Sequence, residues 1–134
     1  MLDVHNDERV IGELWEAAPK KVTLSESFRQ AFFAPHGAMP MFHDNRRAYH
    51  RYFMRGKAVL MRGSTTLAAY TKDVSRQGVG FLSPVQLMPK ERIKLRLPTA
   101  QLSLEVARCR RVDQGCFECG ARFALEPGLI KSTN

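Results

Sequence analysis

The second half of this 134-residue chain is a close succession of six short segments with strand character. Apolar and polar residues alternate most clearly within 93–97 and 102–106, which predicts strands with one buried face. Turn signals rich in glycine, serine or proline separate the segments. We predict strands at 56–61, 65–72, 78–82, 92–97, 102–112 and 116–123. Six closely spaced strands favour an antiparallel barrel, because closure removes exposed sheet edges.

The first forty residues carry a helical pattern instead. Apolar residues recur three and four positions apart over 10–18 and again over 24–32, the second run behind a capping-box pattern at 23–26. Pro19 and Pro35 end the two predicted helices. Helices this short are unstable alone in water, so they must pack on the barrel or on another chain. Two interpretations stay open: they cover a face of the barrel, or they form a partner-binding surface that ligand binding repositions.

The fold prediction is therefore a mainly β protein of one-domain length. Residues 1–40 form a helical N-terminal extension, 41–126 a six-stranded antiparallel barrel domain, and 127–134 a short C-terminal tail. No apolar run reaches the ~20 residues that a spanning helix needs, so we expect no membrane insertion. The acidic, polar N-terminus differs from a signal peptide, which predicts a cytoplasmic protein.

The net charge of +8 indicates an anionic partner. Nucleic acid is one partner that would satisfy this charge, and a doubly negative cyclic dinucleotide is another. Charge alone does not separate the two. The predicted strands carry few aromatic residues, so they lack the stacking platform of many single-strand-binding barrels. We therefore disfavour nucleic acid and keep it as an alternative.

Three cysteines, an odd number, fit a reducing compartment. Cys116 and Cys119 have C-x-x-C spacing, but the chain has no second such pair, and structural zinc requires four ligands. We predict buried strand cysteines, with Cys109 the third, and no metal site. The sequence also lacks G-x-S-x-G, Walker and H-E-x-x-H motifs. No catalytic residues and no cofactor are expected.

Two polar clusters near the middle of the chain carry the functional signal. The first holds three arginines, and some twenty residues later the second holds a carboxylate, a hydroxyl and a glycine: Arg46, Arg47 and Arg51, then Asp73, Ser75 and Gly78. Guanidinium forks suit phosphate oxygens and the O6/N7 edge of guanine. A carboxylate suits the N1–H and N2 donors on the other guanine edge. A ligand that carries both phosphate and guanine would engage all of these groups.

The order and spacing of the two clusters resemble the PilZ domain family, the bacterial receptor module for cyclic di-GMP. That family has R-x-x-x-R, matched here by Arg47 and Arg51, followed by [D/N]-x-S-x-x-G, matched by Asp73, Ser75 and Gly78. The resemblance covers about 46–123. It implies a six-stranded barrel with the arginine motif just before the first strand. It also implies a non-enzymatic receptor that binds cyclic di-GMP and regulates a protein partner in motility, biofilm formation or signalling.

Structural explanations of the same residues stay open beside the functional ones. Asp73 and Ser75 can cap a turn, and Gly78 can provide a positive φ or permit a close approach of the ligand. Arg76 and Gly80 are additional site candidates. Arg46 could offer a second fork or a stacking plane, which would let two ligand molecules bind per chain. A PilZ-like interaction protein that binds no ligand is the remaining alternative.

Overall fold

The computed structural model describes residues 4–34 and 51–124. In chain order the elements are α1 (Val4–Ala17), β1 (Lys20–Lys21), α2 (Glu26–Phe32), β2 (Arg51–Arg62), β3 (Thr65–Ser75), β4 (Gly78–Ser83), β5 (Arg92–Arg96), β6 (Gln101–Asp113) and β7 (Cys116–Phe123). Strands β2 to β7 form a closed antiparallel barrel in the order β2–β3–β4–β7–β6–β5, and β5 pairs back onto β2. The predicted fold class, a mainly β protein with a six-stranded barrel and short helices, is confirmed.

Alternation along the strands separates an inner face from an outer face. Val79 and Phe81 of β4 point into the barrel and pack against apolar residues from every other barrel strand. Their neighbours Gly78, Gly80 and Leu82 therefore lie on the outer face. The inner cluster is closely packed, and Phe81 is completely buried. The outer face of β4 consequently carries two glycines and Leu82, whereas its polar residue, Ser83, is buried.

The N-terminal helices cover one part of that outer face. Trp15 of α1 and Phe32 of α2 form a second apolar cluster with Tyr70 and Leu82, outside the barrel wall. The indole nitrogen of Trp15 donates a buried hydrogen bond of 2.7 Å to the carbonyl oxygen of Ala69. β1 lies between the two helices and pairs in parallel with β3. Within the described residues, neither helix is long and apolar enough to cross a bilayer.

The structure corrects several predicted boundaries. β2 begins five residues earlier than position 56, so Arg51 is part of a strand, and β3 continues to Ser75, so Asp73 lies in a strand too. Strand β1 was not predicted, because two exposed lysines carry no apolar pattern. Ser25 is the N-cap of α2, with its hydroxyl accepting from the Phe28 amide. The predicted capping box at 23–26 is therefore wrong.

Replacement of Trp15 by alanine tests whether the helices belong to the folded unit. The change removes a buried ring and leaves the Ala69 carbonyl without its donor, so we expect the free energy of unfolding to fall by roughly 3–5 kcal/mol. Val10→Ala is the control, because Val10 lies on the same helix but is exposed. Urea denaturation measures both. Equal stability of the two variants would show that α1 does not contribute to the barrel's stability.

Candidate functional site

The second polar cluster lies where β3, β4, β7 and β6 run side by side. Asp73 is opposite Gly80, Gly80 is opposite Gly120, and Gly120 is opposite Arg108. Because register partners share a face of an antiparallel sheet, these four residues form one row on the outer face of the barrel. We call them the central row. A β-bulge between Thr71 and Asp73 brings the Asp73 carboxylate onto this face.

The first polar cluster reaches the same region through backbone pairing. Arg51, the first residue of β2, is the register partner of Ser75 at the end of β3. The backbone of Arg51, the second arginine of R-x-x-x-R, therefore lies directly beside the backbone of Ser75, the serine of the second motif. Arg46 and Arg47 lie outside the described residues, so their roles stay predictions.

Ser75 shapes the tight turn between β3 and β4. Its hydroxyl oxygen accepts hydrogen bonds from the amides of Gln77 and Gly78, at 3.2 and 3.3 Å. The expected turn-capping role of Ser75 is therefore present. Asp73 is two residues from the turn and opposite Gly80, and its side chain lies against that glycine. The turn-capping bonds are thus those of Ser75, while Asp73 is buried against Gly80.

Gly78 permits a close approach of two strands. A Cβ atom here would overlap the carbonyl oxygen of Ala121 in β7, so no larger residue fits without moving that strand. The positive-φ glycines of the described residues are Gly63 and Gly115, so backbone conformation is not what requires glycine at 78. Of the two explanations left open by the sequence, a positive φ is therefore wrong, and close approach of the ligand stays a prediction. The approach that the structure shows is that of the β7 backbone, which was not predicted.

A shallow groove of about 200 Å³ lies beside Gly78 on the outer face of the barrel. Gly78, Gly80 and Gly120 line it and are themselves buried, and Ser75 lies at one end. An ideal Cβ on Gly80 would lie 2.7 Å from an oxygen of Asp73, so this carboxylate lies directly over the glycine. The structure thus brings four predicted site residues together. Arg76, an additional candidate, is exposed in the turn and does not line the groove.

An ion cluster borders the groove on the side of the helices. Glu118 of β7 accepts hydrogen bonds from Lys72 and Arg110. Burial alone would raise the pKa of Glu118, but these two cations more than offset it and the pKa is lowered, so the carboxylate stays ionised near neutral pH. The charges of Lys72 and Arg110 are thereby partly balanced beside the groove.

Arg55 connects the candidate site with α2. Its guanidinium donates to the carbonyl oxygen of Phe32 at 2.6 Å and lies 4.4 Å from the centre of the Phe32 ring. It is half-buried in the bulge of β2, where burial lowers its pKa and the carboxylates of Asp73 and Glu118 oppose that shift. The Arg55 side chain therefore contacts the end of α2 and also interacts electrostatically with the carboxylate of Asp73.

Sequence reasoning missed two residues of the groove. Gly120 and Arg108 were treated only as parts of strand patterns, and both line the groove. A glycine in the interior of a strand is a signal for close approach of other groups, and Gly120 carries that signal. No local pattern distinguishes Arg108 from the other arginines of β6, because its position depends on pairing with a strand that follows it in the chain.

The cysteines are strand residues, as predicted. Cys116 and Cys119 are buried in β7 and Cys109 is half-buried in β6, all as free thiols. Positions three apart in a strand point to opposite faces, so Cys116 packs under the helices while Cys119 faces the barrel interior. Across residues 4–34 and 51–124, no group of three or more histidine, cysteine or acidic side chains could hold a metal ion.

Comparison with known protein families gives one result for this chain. A family model described as the PilZ domain matches residues 45–130, which is well over half of the chain and includes both polar clusters and every barrel strand. No curated protein matches the sequence.

The contact at Gly78 predicts that Gly78→Ala destabilises the fold. The added methyl group must displace the β7 backbone, so we expect the free energy of unfolding to fall by roughly 1–3 kcal/mol or more. Gly56→Ala is the matched strand control, because a Cβ at Gly56 meets nothing within 4 Å. Chemical denaturation compares the two. A Gly78→Ala protein as stable as the control would contradict the close approach of β4 and β7.

Proposed function

The chain belongs to the PilZ domain family, and on that premise we propose that it is a receptor for cyclic di-GMP which regulates a partner protein. The receptor acts without catalysis in the bacterial cytoplasm. The observation that carries the proposal is that the second motif is assembled around one groove: Ser75 and Gly78 line it together with Gly80, and the Asp73 carboxylate lies against Gly80.

The groove suits a flat ligand with polar edges. Three glycines line the groove, so they have no side chains of their own that would hold a purine ring away from the sheet. Asp73 accepts from the N1–H and N2 groups of guanine, and Ser75 contacts a phosphate or a base donor while it shapes the turn. Gly78 keeps β4 against β7 and thereby preserves the groove floor.

Arg47 and Arg51 supply the cations that the ligand's phosphates and guanine O6/N7 edge require. The pairing of Arg51 with Ser75 supports this assignment, since it joins the two motifs at one end of the groove. Arg46 adds a further guanidinium next to the motif, for a second ligand molecule. These roles follow the family pattern, which the sequence matches at each motif position.

The output of the receptor passes through the segment that joins α2 to β2. Both ends of this segment are close to the site: α2 contacts Arg55 through Phe32, and β2 begins at Arg51 opposite Ser75. Ligand binding at the arginines acts on the start of β2, and the contact between Arg55 and α2 transmits the change to the helices. A partner protein would then bind the altered helical surface.

Calorimetric titration tests the ligand and its motif residues together. We expect selective binding of cyclic di-GMP over GTP, cyclic di-AMP and a short oligonucleotide. Arg47→Ala and Arg51→Ala should each cost roughly 2–5 kcal/mol of binding free energy, because each breaks a desolvated charge pair. Asp73→Asn should also weaken binding, since it replaces one acceptor oxygen by a donor that faces guanine donors.

The control for these variants is Arg96→Ala, which removes an exposed arginine of β5 away from the groove. Melting temperatures of the ligand-free proteins separate binding from folding. If Arg47→Ala and Arg51→Ala bind as tightly as the parent, the assigned site is wrong. Salt-dependent binding of the oligonucleotide without nucleotide selectivity would favour the nucleic-acid alternative.

Stoichiometry tests Arg46. We expect two cyclic di-GMP molecules per chain at saturation, because Arg46 provides a second fork or a stacking plane beside the motif. Arg46→Leu should then bind one molecule, with the motif arginines still engaged. The same titration gives both numbers, and a parent protein that saturates at one ligand per chain would remove Arg46 from the site.

A further inference from the structure

We propose that Cys109 and Cys119 form a reversible redox site, at which a peroxide converts the two thiols into a disulfide bond between β6 and β7. The site goes beyond the proposed function, because neither thiol lines the groove. The pairing of the two strands, the distance between the sulfur atoms and the different exposure of the two side chains carry the proposal.

The two cysteines face each other across adjacent strands. Cys109 of β6 and Cys119 of β7 are register partners, and both side chains pack with the apolar residues inside the barrel. Register partners in antiparallel strands have Cα atoms roughly 4.5–5.5 Å apart, which is within the range that disulfide bonds require. The Cys119 thiol donates to Cys109 Sγ, with 2.9 Å between the sulfur atoms. A disulfide bond of about 2.05 Å therefore requires a further approach of only about 1 Å.

Cys116 does not belong to this pair, although it has C-x-x-C spacing with Cys119. Cys116 packs under the helices, and Cys119 packs inside the barrel, so the barrel wall separates the two sulfur atoms. The three thiols therefore divide into one facing pair and one single buried thiol.

The two sulfur atoms of the pair differ in access. Cys109 is half-buried, whereas Cys119 is 2% exposed. The backbone amide of Leu87, between β4 and β5, donates to Cys109 Sγ at 3.3 Å and so holds this sulfur in place. Burial and the hydrogen bond to Cys109 raise the pKa of Cys119, so Cys119 stays protonated near neutral pH. Cys109 is therefore the thiol that reacts first with the oxidant, and Cys119 is the thiol that resolves the product.

The reaction with hydrogen peroxide takes two steps. Cys109 Sγ attacks one peroxide oxygen, the O–O bond breaks, and the hydroxide that leaves takes the thiol proton to form water. Cys119 Sγ then attacks the sulfur of the Cys109 sulfenic acid, the S–O bond breaks, and the leaving hydroxide takes the Cys119 proton. Two thiols are thus oxidised to one disulfide, and one peroxide is reduced to two waters. Two molecules of a small thiol reverse the change by thiol–disulfide exchange.

The disulfide bond would lie directly behind the candidate groove. The next register pair along the two strands is Arg108 with Gly120, and both residues line the groove on the other face of the sheet. A covalent bond between Cys109 and Cys119 fixes the register of β6 and β7 at this point. Oxidation therefore stabilises the strand pair that forms one side of the groove, as a transient redox-sensing disulfide in a reducing compartment.

Peroxide treatment of the reduced full chain tests the site. The intact mass should fall by two hydrogens per chain, and alkylation in denaturant should then modify only Cys116. Peptide mapping should find Cys109 linked to Cys119, and dithiothreitol should restore all three thiols. The bond should form about tenfold or more faster in the folded chain than in urea, because strand pairing holds the sulfur atoms together. The oxidised chain should also melt at a higher temperature than the reduced chain.

Three variants assign the roles of the thiols. Cys116→Ala is the matched control and should still form the bond. Cys119→Ala should stop at the Cys109 sulfenic acid, which dimedone traps, and Cys109→Ala should form neither product under the same conditions. Melting curves check that each variant is folded, and peptide mapping of the parent tests the pairing without any substitution.

The possible outcomes do not depend on cyclic di-GMP. A parent that keeps three free thiols after peroxide treatment, or that links Cys119 to Cys116 or to another chain, would overturn the proposal. A sulfenic acid that persists on Cys109 in the parent would overturn it too, because Cys119 would then not resolve it. Equal rates of bond formation in the folded and unfolded chain would contradict the role of the strand pairing.

Discussion

The close pairing of β4 with its two neighbours is the constraint on which the rest of the structure depends. β4 joins β3 to β7, so it closes the barrel, and at Gly78 it approaches the β7 backbone too closely for any side chain. This contact belongs to the register in which β3, β4, β7 and β6 pair side by side. The central row exists only in that register, because a shift of one residue would bring the neighbours of Gly80 and Gly120 between Asp73 and Arg108.

Covered and open surfaces lie next to each other on the outside of the barrel. The helices bury Tyr70 and Leu82. Leu82 is the register partner of Glu118, which forms the ion pairs with Lys72 and Arg110. The next row is the glycine-floored groove. Burial of apolar surface stabilises the first region at ~25 cal/mol per Å², while the groove is lined by glycines and polar residues such as Ser75 and Arg108. Stability and ligand binding are thus assigned to neighbouring parts of one sheet.

Arg55 is the physical connection between these parts. It hydrogen-bonds the last residue of α2 and lies in the field of Asp73, so a change in the charge environment of Asp73 alters the environment of Arg55. The bulge that holds Arg55 breaks the regular pairing of β2 with β3 between Phe53 and Gly56. Bulges of this kind are common beside functional sites, where they redirect a side chain.

The sequence by itself determined the number of barrel strands, the existence of both helices and the identity of the motif residues. Period-two alternation and turn residues are local signals, and so is the spacing within each motif. Only the tertiary structure decided that Arg51 is opposite Ser75, that Gly78 is required by β7, and that Gly120 and Arg108 border the same groove. These placements depend on pairing between strands far apart in the chain. No local pattern specifies such pairing, because register is set by the combined burial of apolar residues from all six strands.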